Sequence, residues 1–198
     1  MLGLLLTDAG PPRRRLVLVG GVPGAGKTTL LARFAGRPGV RVIDPDTDRV
    51  RLASALPTGT PYRSYRGLVH VLHYLRVLVA VLLPGGDVLV VHDPATRPRR
   101  RELLAWFARR RGWDPALLYL DVEAETALTG QHDRGRVLNR ESFARHWARW
   151  SEQRPAVAAA QGARFGAWSR VDLVDRERAP QLLEGLVATA RRDSRVAG

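Results

Sequence analysis

The stretch Gly21-Val22-Pro23-Gly24-Ala25-Gly26-Lys27-Thr28 restricts the folds open to this chain more than any other, because it satisfies G-x-x-x-x-G-K-[ST] at every fixed position. Its surroundings agree. Arg15-Leu16-Val17-Leu18-Val19-Gly20 is a short apolar run suited to a buried parallel strand, and Thr29 to Phe34 has helical spacing that ends near Gly36 and Pro38. Strand, glycine loop and helix in that order make a phosphate cradle. The glycines let backbone amides turn inward with no Cβ in the way, and those amides and the helix N-terminus face the anion. The expected nucleotide-binding residues are therefore Gly21, Val22, Pro23, Gly24, Ala25, Gly26, Lys27, Thr28 and Thr29. Among them the Lys27 ammonium reaches the β- and γ-phosphates of ATP, and the Thr28 hydroxyl ligates Mg²⁺.

Composition sharpens the place of Lys27. The chain has 31 arginines and one lysine, and that lysine stands in the loop. A compact ammonium and a planar guanidinium are least interchangeable there. At 198 residues, 45% hydrophobic and 26% charged, the sequence predicts one domain over residues 1–198 with a substantial core. The absence of cysteine excludes disulfides and thiolate metal sites. Met1 to Leu6 is apolar but too short for a signal-peptide core, and the longest apolar stretch, Val77 to Leu83, is far short of a membrane span. The expected location is cytoplasmic, with no membrane partner. The net charge of +13 draws on basic clusters at Arg13–Arg15, Arg97–Arg101 and Arg109–Arg111. Nucleic acid is one partner for such a charge. No nucleic-acid-binding motif accompanies it, so an arginine-rich solvated surface beside a nucleotide site is the favoured reading.

After a lead of 14 residues, strands are expected at 15–20, 40–43, 88–91, 116–122 and 169–174. Helices are expected to about residue 36, then at 49–56, 64–83, 99–111, 123–129 and 177–192, with one more capped by Asn139 and interrupted at Pro155. Such alternation predicts an α/β fold, a five-stranded parallel sheet covered on both faces. The helix over 64–83 carries Leu68, Val71, Leu72, Leu75, Leu78, Val79 and Leu82 at helical spacing. Phe143, Trp147 and Trp150 share one helical face and read as core, whereas residues 130–136 have no apolar periodicity and read as a mobile basic loop.

Catalytic groups should lie beyond the carboxyl ends of the strands next to the phosphate loop. Val88 to Val91 followed by His92-Asp93 resembles a Walker B segment, which makes Asp93 the expected metal carboxylate, its alternative being a turn aspartate before Pro94. His92 reads as a packing or hydrogen-bonding neighbour. Asp44, Asp46 and Asp48 do not form an EF-hand, since Arg49 and Ala55 stand where glycine and glutamate are required. A D-x-D-x-T pattern fails as well, because Thr47 comes one residue too early. What remains is Asp46-Thr47-Asp48-Arg49 at a strand end.

Together, the phosphate loop, D-x-x-R after the second strand, an aspartate after the third and R-x-R after the fourth resemble a group of small P-loop kinases. The group includes polynucleotide kinase, the zeta toxins and chloramphenicol phosphotransferase, and its uncharacterised members often carry the label AAA family ATPase. The resemblance covers about residues 15 to 175 and implies a three-layer fold of the nucleoside-monophosphate-kinase kind. It implies Asp46 as general base on an acceptor hydroxyl, with a helix N-cap as its alternative role and Asp44 and Asp48 as the nearest substitutes. It also implies Arg49 orienting the acceptor, residues 47–86 as the acceptor-binding region, and a lid over 130–138 carrying Arg134 and Arg136. Gly130-Gln131 stand where many relatives have a further basic residue, and Arg97 and Arg101 are candidates to supply that charge. The implied activity is ATP- and Mg²⁺-dependent phosphoryl transfer to the hydroxyl of a small molecule. A 5′-hydroxyl polynucleotide kinase and an ATP-hydrolysing switch or partner-binding module are the alternatives.

Overall fold

Leu16, Val17, Leu18 and Val19 are each at most 1% exposed, as consecutive strand residues must be when helices cover both faces of a parallel sheet. They form the middle of β1 (Arg14–Gly21) in the computed structural model of the chain, which describes residues 14–83, 86–132 and 140–196. The other elements are α1 (Lys27–Ala32), β2 (Val40–Ile43), α2 (Pro45–Ala55), α3 (Tyr62–Leu82), β3 (Val88–His92) and α4 (Pro98–Arg110). After these come β4 (Trp113–Leu120), α5 (Ala124–His132), α6 (Arg140–Ala159), β5 (Arg170–Val174) and α7 (Ala179–Val196). The five strands are all parallel in the order β2-β3-β1-β4-β5. With β1 central, the chain leaves it to one side for β2 and β3 and to the other for β4 and β5. A ligand crevice is expected beyond the carboxyl end of that strand.

Several elements differ from their sequence expectations, each for a local reason. Helix α1 stops at Ala32, and Arg33–Gly36 turn out of it. Helix α2 starts at Pro45, because the Asp44 side chain accepts the Asp46 amide at 2.9 Å and caps it, worth about 1 kcal/mol. Proline then sits at the first helical position, where its missing N–H costs nothing. Strand β4 begins at Trp113 and tolerates Pro115 because pairing with β5 starts only at Ala116. Helix α6 continues through Pro155 instead of breaking there, and Gly130 and Gln131 belong to α5 rather than to a loop. Residues 1–13, Asn139, and the expected lid from residue 133 on, including Arg134 and Arg136, lie outside the described residues.

Helix α3 forms where the sequence places it, and the packing of its two apolar rows is what the structure adds. Its buried residues are Tyr65, Val69, His73, Val77, Ala80 and Val81. The leucine-rich stripe points the other way: Leu68, Val71, Leu75, Leu78, Val79 and Leu82 are all exposed. A period of 3.6 fits two offset rows on an apolar helix, and the row with β-branched and small residues is the one that lies on the fold. By length and composition α3 also passes as a membrane span, unlike the shorter run considered above. Its inner row is nonetheless packed in this fold. The core expectation for α6 holds, with Phe143 and Trp150 buried, Trp147 packed against the core and Trp150 stacked on Tyr119 at 3.6 Å.

Helices α2 and α3 are tied by Asp48, whose Oδ1 accepts from Arg76 Nη1 at 2.6 Å while its side chain is 4% exposed. Removing only the arginine strands a buried carboxylate. Arg76→Leu should therefore cost about 3 kcal/mol in urea denaturation, and adding Asp48→Asn should recover part of that loss. Additive losses in the double variant would contradict this role for the pair.

Candidate active site

The loop from Gly21 to Gly26 turns on glycines that no other residue could replace without strain. Gly24 has φ +89°, and a Cβ there would come within 1.9 Å of the Ala127 carbonyl of α5. Gly26, at φ +101°, caps α1 in the left-handed region. Lys27, 5% exposed, folds back over the loop and donates to the Gly21 and Val22 carbonyls at 2.6 and 3.0 Å. Arg176, just past β5, braces the outer side by donating to the Ala25 and Gly24 carbonyls at 3.0 and 2.6 Å. Gln131 adds a bond to the Pro23 carbonyl at 3.1 Å. Neither brace was read from the sequence, because no motif marks either residue. Arg176 could have been suspected only as the first cation beyond the last strand.

Each of the four other strands runs directly into an aspartate: Asp44, Asp93, Asp121 and Asp175. Two of them serve the fold. Asp121 pairs with Arg154 through both oxygens and accepts from Trp150, and Asp175 accepts the Glu177 and Arg178 amides at the start of α7. The other two stand at the nucleotide loop. Asp44 is nearly buried, with His92 Nδ1 at 3.1 Å from its Oδ1, a contact between charge partners that is not aligned as a hydrogen bond. Burial alone would raise the Asp44 carboxyl. His92, the Asp46 amide and the Thr28 hydroxyl outweigh it and bring the pKa down to about 2. Asp93 accepts the Ala95 amide at 2.6 Å and the Tyr74 hydroxyl at 3.0 Å. It therefore forms a turn as well as facing the cleft, and Ala95 beyond it has φ +54°. Burial and the Asp93 charge raise the Tyr74 pKa.

A cleft of about 700 Å³ opens over the loop, within the size range of small-molecule sites. Its walls bring together Lys27, Thr28, Asp46, Arg49, Asp93 and Arg97, all named from the sequence. Of the three alternating aspartates only Asp46 faces it. Asp44 caps α2, Asp48 is held by Arg76, and Asp46 sits inside the first turn with Arg49 Nε 3.6 Å away. Arg101 does not reach the cleft. It is 4% exposed and donates to the Ala95 carbonyl, so it holds the Asp93 turn. The cleft also takes Arg66, Arg100, His70, His73, Thr96 and His146, of which Thr96 and His146 were missed. They lie 50 residues apart, and Thr96 Oγ1 meets His146 Nδ1 at 3.0 Å.

The residues fit a nucleotide-bound Mg²⁺. That ion keeps most of its waters and takes few protein ligands, so the Thr28 hydroxyl beside a carboxylate as acidic as Asp44 is sufficient. Asp44 lies beside Thr28, and Asp93, the expected metal carboxylate, lines the cleft.

Three of the histidines that line the cleft, His70, His73 and His146, have depressed pKa values. Burial is the first cause for each; neighbouring cations add to it at His70 and at His146, where Lys27 is one of them, whereas the nearby carboxylates oppose it at His73; His146 falls to about 4. His146 stays neutral in the fold while the unfolded chain takes up its proton near pH 6.5, and His70 and His73 are shifted in the same direction. Stability should therefore fall as the pH drops from 6.5 toward 4. Urea midpoints measured across that window should decline, and less steeply in His146→Gln. An equal slope in both proteins would contradict the assignment.

Comparison with known proteins agrees with this geometry. A family model described as an AAA domain matches residues 16–159. A search of curated proteins finds no match. Among solved structures, the chain is similar to one from the PezAT chromosomal toxin-antitoxin system of Streptococcus pneumoniae, with TM-score 0.56, 16% identity, and coverage of 96% of this chain and 87% of that one. It is also similar to a gluconokinase from Sinorhizobium meliloti 1021, with TM-score 0.54, 16% identity, and coverage of 92% and 94%. The tunicamycin resistance protein of Deinococcus radiodurans matches with TM-score 0.51, 17% identity, and coverage of 89% and 95%. By its phosphate loop, its sheet order and the match over residues 16–159, the chain belongs to this AAA-domain family and has the fold of the small P-loop kinases.

Proposed function

We propose that the protein transfers the γ-phosphoryl group of ATP to a hydroxyl of a small-molecule acceptor. The observation that carries this reading is the separation of three neighbouring aspartates into one cap, one ion pair and one cleft residue, Asp46. Asp46 is the one of the three that lines the cleft, where a general base on an acceptor hydroxyl would stand. Phosphoryl transfer needs positioning and charge stabilisation more than covalent chemistry. Lys27 and the loop amides hold the β- and γ-phosphates. Asp46 accepts the acceptor's hydroxyl proton as the new O–P bond forms and the β–γ bridge breaks, so ADP leaves with the charge. Arg49, 3.6 Å from Asp46, orients the acceptor, and Arg97 adds positive charge to the same wall. Arg134 and Arg136 are proposed as the lid cations. When bound, Mg²⁺ neutralises developing charge on the phosphates, with Thr28, Asp93 and Asp44 as the residues on its side.

The name of the gluconokinase neighbour supports a kinase reading in general and leaves the acceptor open. Incubation with γ-labelled ATP, Mg²⁺ and a panel of hydroxylated metabolites should yield a labelled phosphomonoester. Label appearing only in inorganic phosphate across the panel would remove the reading.

A further inference from the structure

The catalytic cleft has an apolar neighbour. Between α3 and α4 lies a chamber of about 480 Å³ whose floor is Leu18 of β1 and Val91 of β3, and whose walls are Val77, Leu78, Leu104 and Phe107. The space is open on one side, where Leu78 and Leu103 are exposed, and an apolar ligand group seated over its two central strands would take that surface out of water. The chamber is continuous with the cleft: His73, Tyr74, Asp93 and Arg100 line both spaces and form a polar neck between them. His73 marks that neck as a binding feature. Its side chain is 3% exposed, yet neither ring nitrogen has a hydrogen-bond partner among the described residues. A buried polar group without a partner is costly, and a ligand group passing the neck would supply one.

We infer that the molecule occupying the cleft is an amphiphilic alcohol. Its hydroxyl-bearing head sits among the polar residues around Asp46, a polar atom meets His73 at the neck, and its apolar body fills the α3–α4 chamber. This deepens the kinase reading and rests on it for the role of the head group. Sugar hydroxyls set against Leu18, Val91 and Leu104 would be left unpaired, so the chamber suits an apolar body and not the polar head. Of the outward row of α3 only Leu78 turns its edge into the chamber; Leu68, Val71, Leu75, Val79 and Leu82 do not line it.

A homologous series of alkyl β-D-glucosides, methyl to octyl, tests this by calorimetry below their critical micelle concentrations. Affinity should rise about three- to fourfold per added methylene as the chain enters the chamber. Leu104→Trp and Leu78→Trp, filling it from opposite walls, should flatten the series while ATP affinity stays within about twofold. Leu75→Glu on the outer row of α3 should leave the slope intact. A flat series in the unmodified protein would overturn the inference, as would a slope that survives both tryptophan variants or is abolished by Leu75→Glu. So would a dimer, seen by sedimentation, that the glucosides dissociate, since a second copy would then be the occupant. Phosphoryl transfer assayed on the same compounds keeps the two readings apart. A slope in binding without any transfer upholds the chamber and removes the kinase reading. Transfer to polar alcohols with a flat alkyl series removes the chamber and leaves the kinase.

Discussion

Lys27→Met should leave a folded chain in which phosphoryl transfer has fallen by on the order of 10³-fold or more, the cost of removing a preorganised charge from the reacting phosphates. Lys27→Arg should do nearly as badly. The ammonium lies folded against the Gly21 and Val22 carbonyls, 5% exposed, in a space closed on its far side by Arg176, Gln131 and α5. A planar guanidinium needs more room and a different fan of acceptors. Thermal melts should show both variants folded but less stable than the parent, since the Gly21 and Val22 carbonyls that lose the ammonium are buried. Nucleotide binding followed by fluorescence and turnover followed by ADP release give the comparison. Transfer by Lys27→Arg at more than a tenth of the parental rate would mean that the loop does not hold the phosphates in the way its lysine suggests.

The second large effect is expected at Asp46. Asp46→Asn keeps the size of the side chain and removes its basicity, so transfer should drop by ~10²-fold or more with ATP affinity changed less than about twofold. The neighbours should behave differently. Asp48→Asn should act on stability, because Asp48 binds Arg76 between α2 and α3. Asp44→Asn should weaken the cap on α2 and the Thr28 side of the nucleotide site together, raising the requirement for Mg²⁺. If Asp44→Asn rather than Asp46→Asn removed transfer while sparing Mg²⁺-ATP binding, the base would have to be reassigned.

The legible part of this molecule was the part written in local chemistry. The glycine loop, the buried runs of β1 and β3, and the aspartates at strand ends follow from rules that act over a few residues. They identified the parallel sheet and most of the cleft: Lys27, Thr28, Asp46, Arg49, Asp93 and Arg97 all reach it. What stayed unread depended on which of two locally equivalent arrangements packing selects. Both rows of α3 are apolar, and only the sheet beneath decides that Val69, Val77 and Val81 go inside rather than Leu68, Leu75 and Leu82. Arg97 and Arg101 looked alike in sequence, yet one helical turn separates a cleft cation from a buried clasp on the Ala95 carbonyl. His146 comes to the site through tertiary structure alone, and no motif singles out Thr96, beside Arg97, or Arg176, the first cation past β5. The alternating aspartates fall between these cases. Their nearness to the site could be read locally, but the division of labour needed Arg76 and His92 from other elements.

The most direct test follows all phosphorus-containing species at once. A ³¹P NMR time course of ATP, Mg²⁺ and an acceptor mixture with the unmodified protein should show a phosphomonoester signal growing in step with ADP. The Asp46→Asn protein should produce neither at a comparable rate while still binding ATP. ADP growing one-for-one with inorganic phosphate, at the same rate in both proteins, would contradict a kinase and leave a nucleotide-hydrolysing protein in its place.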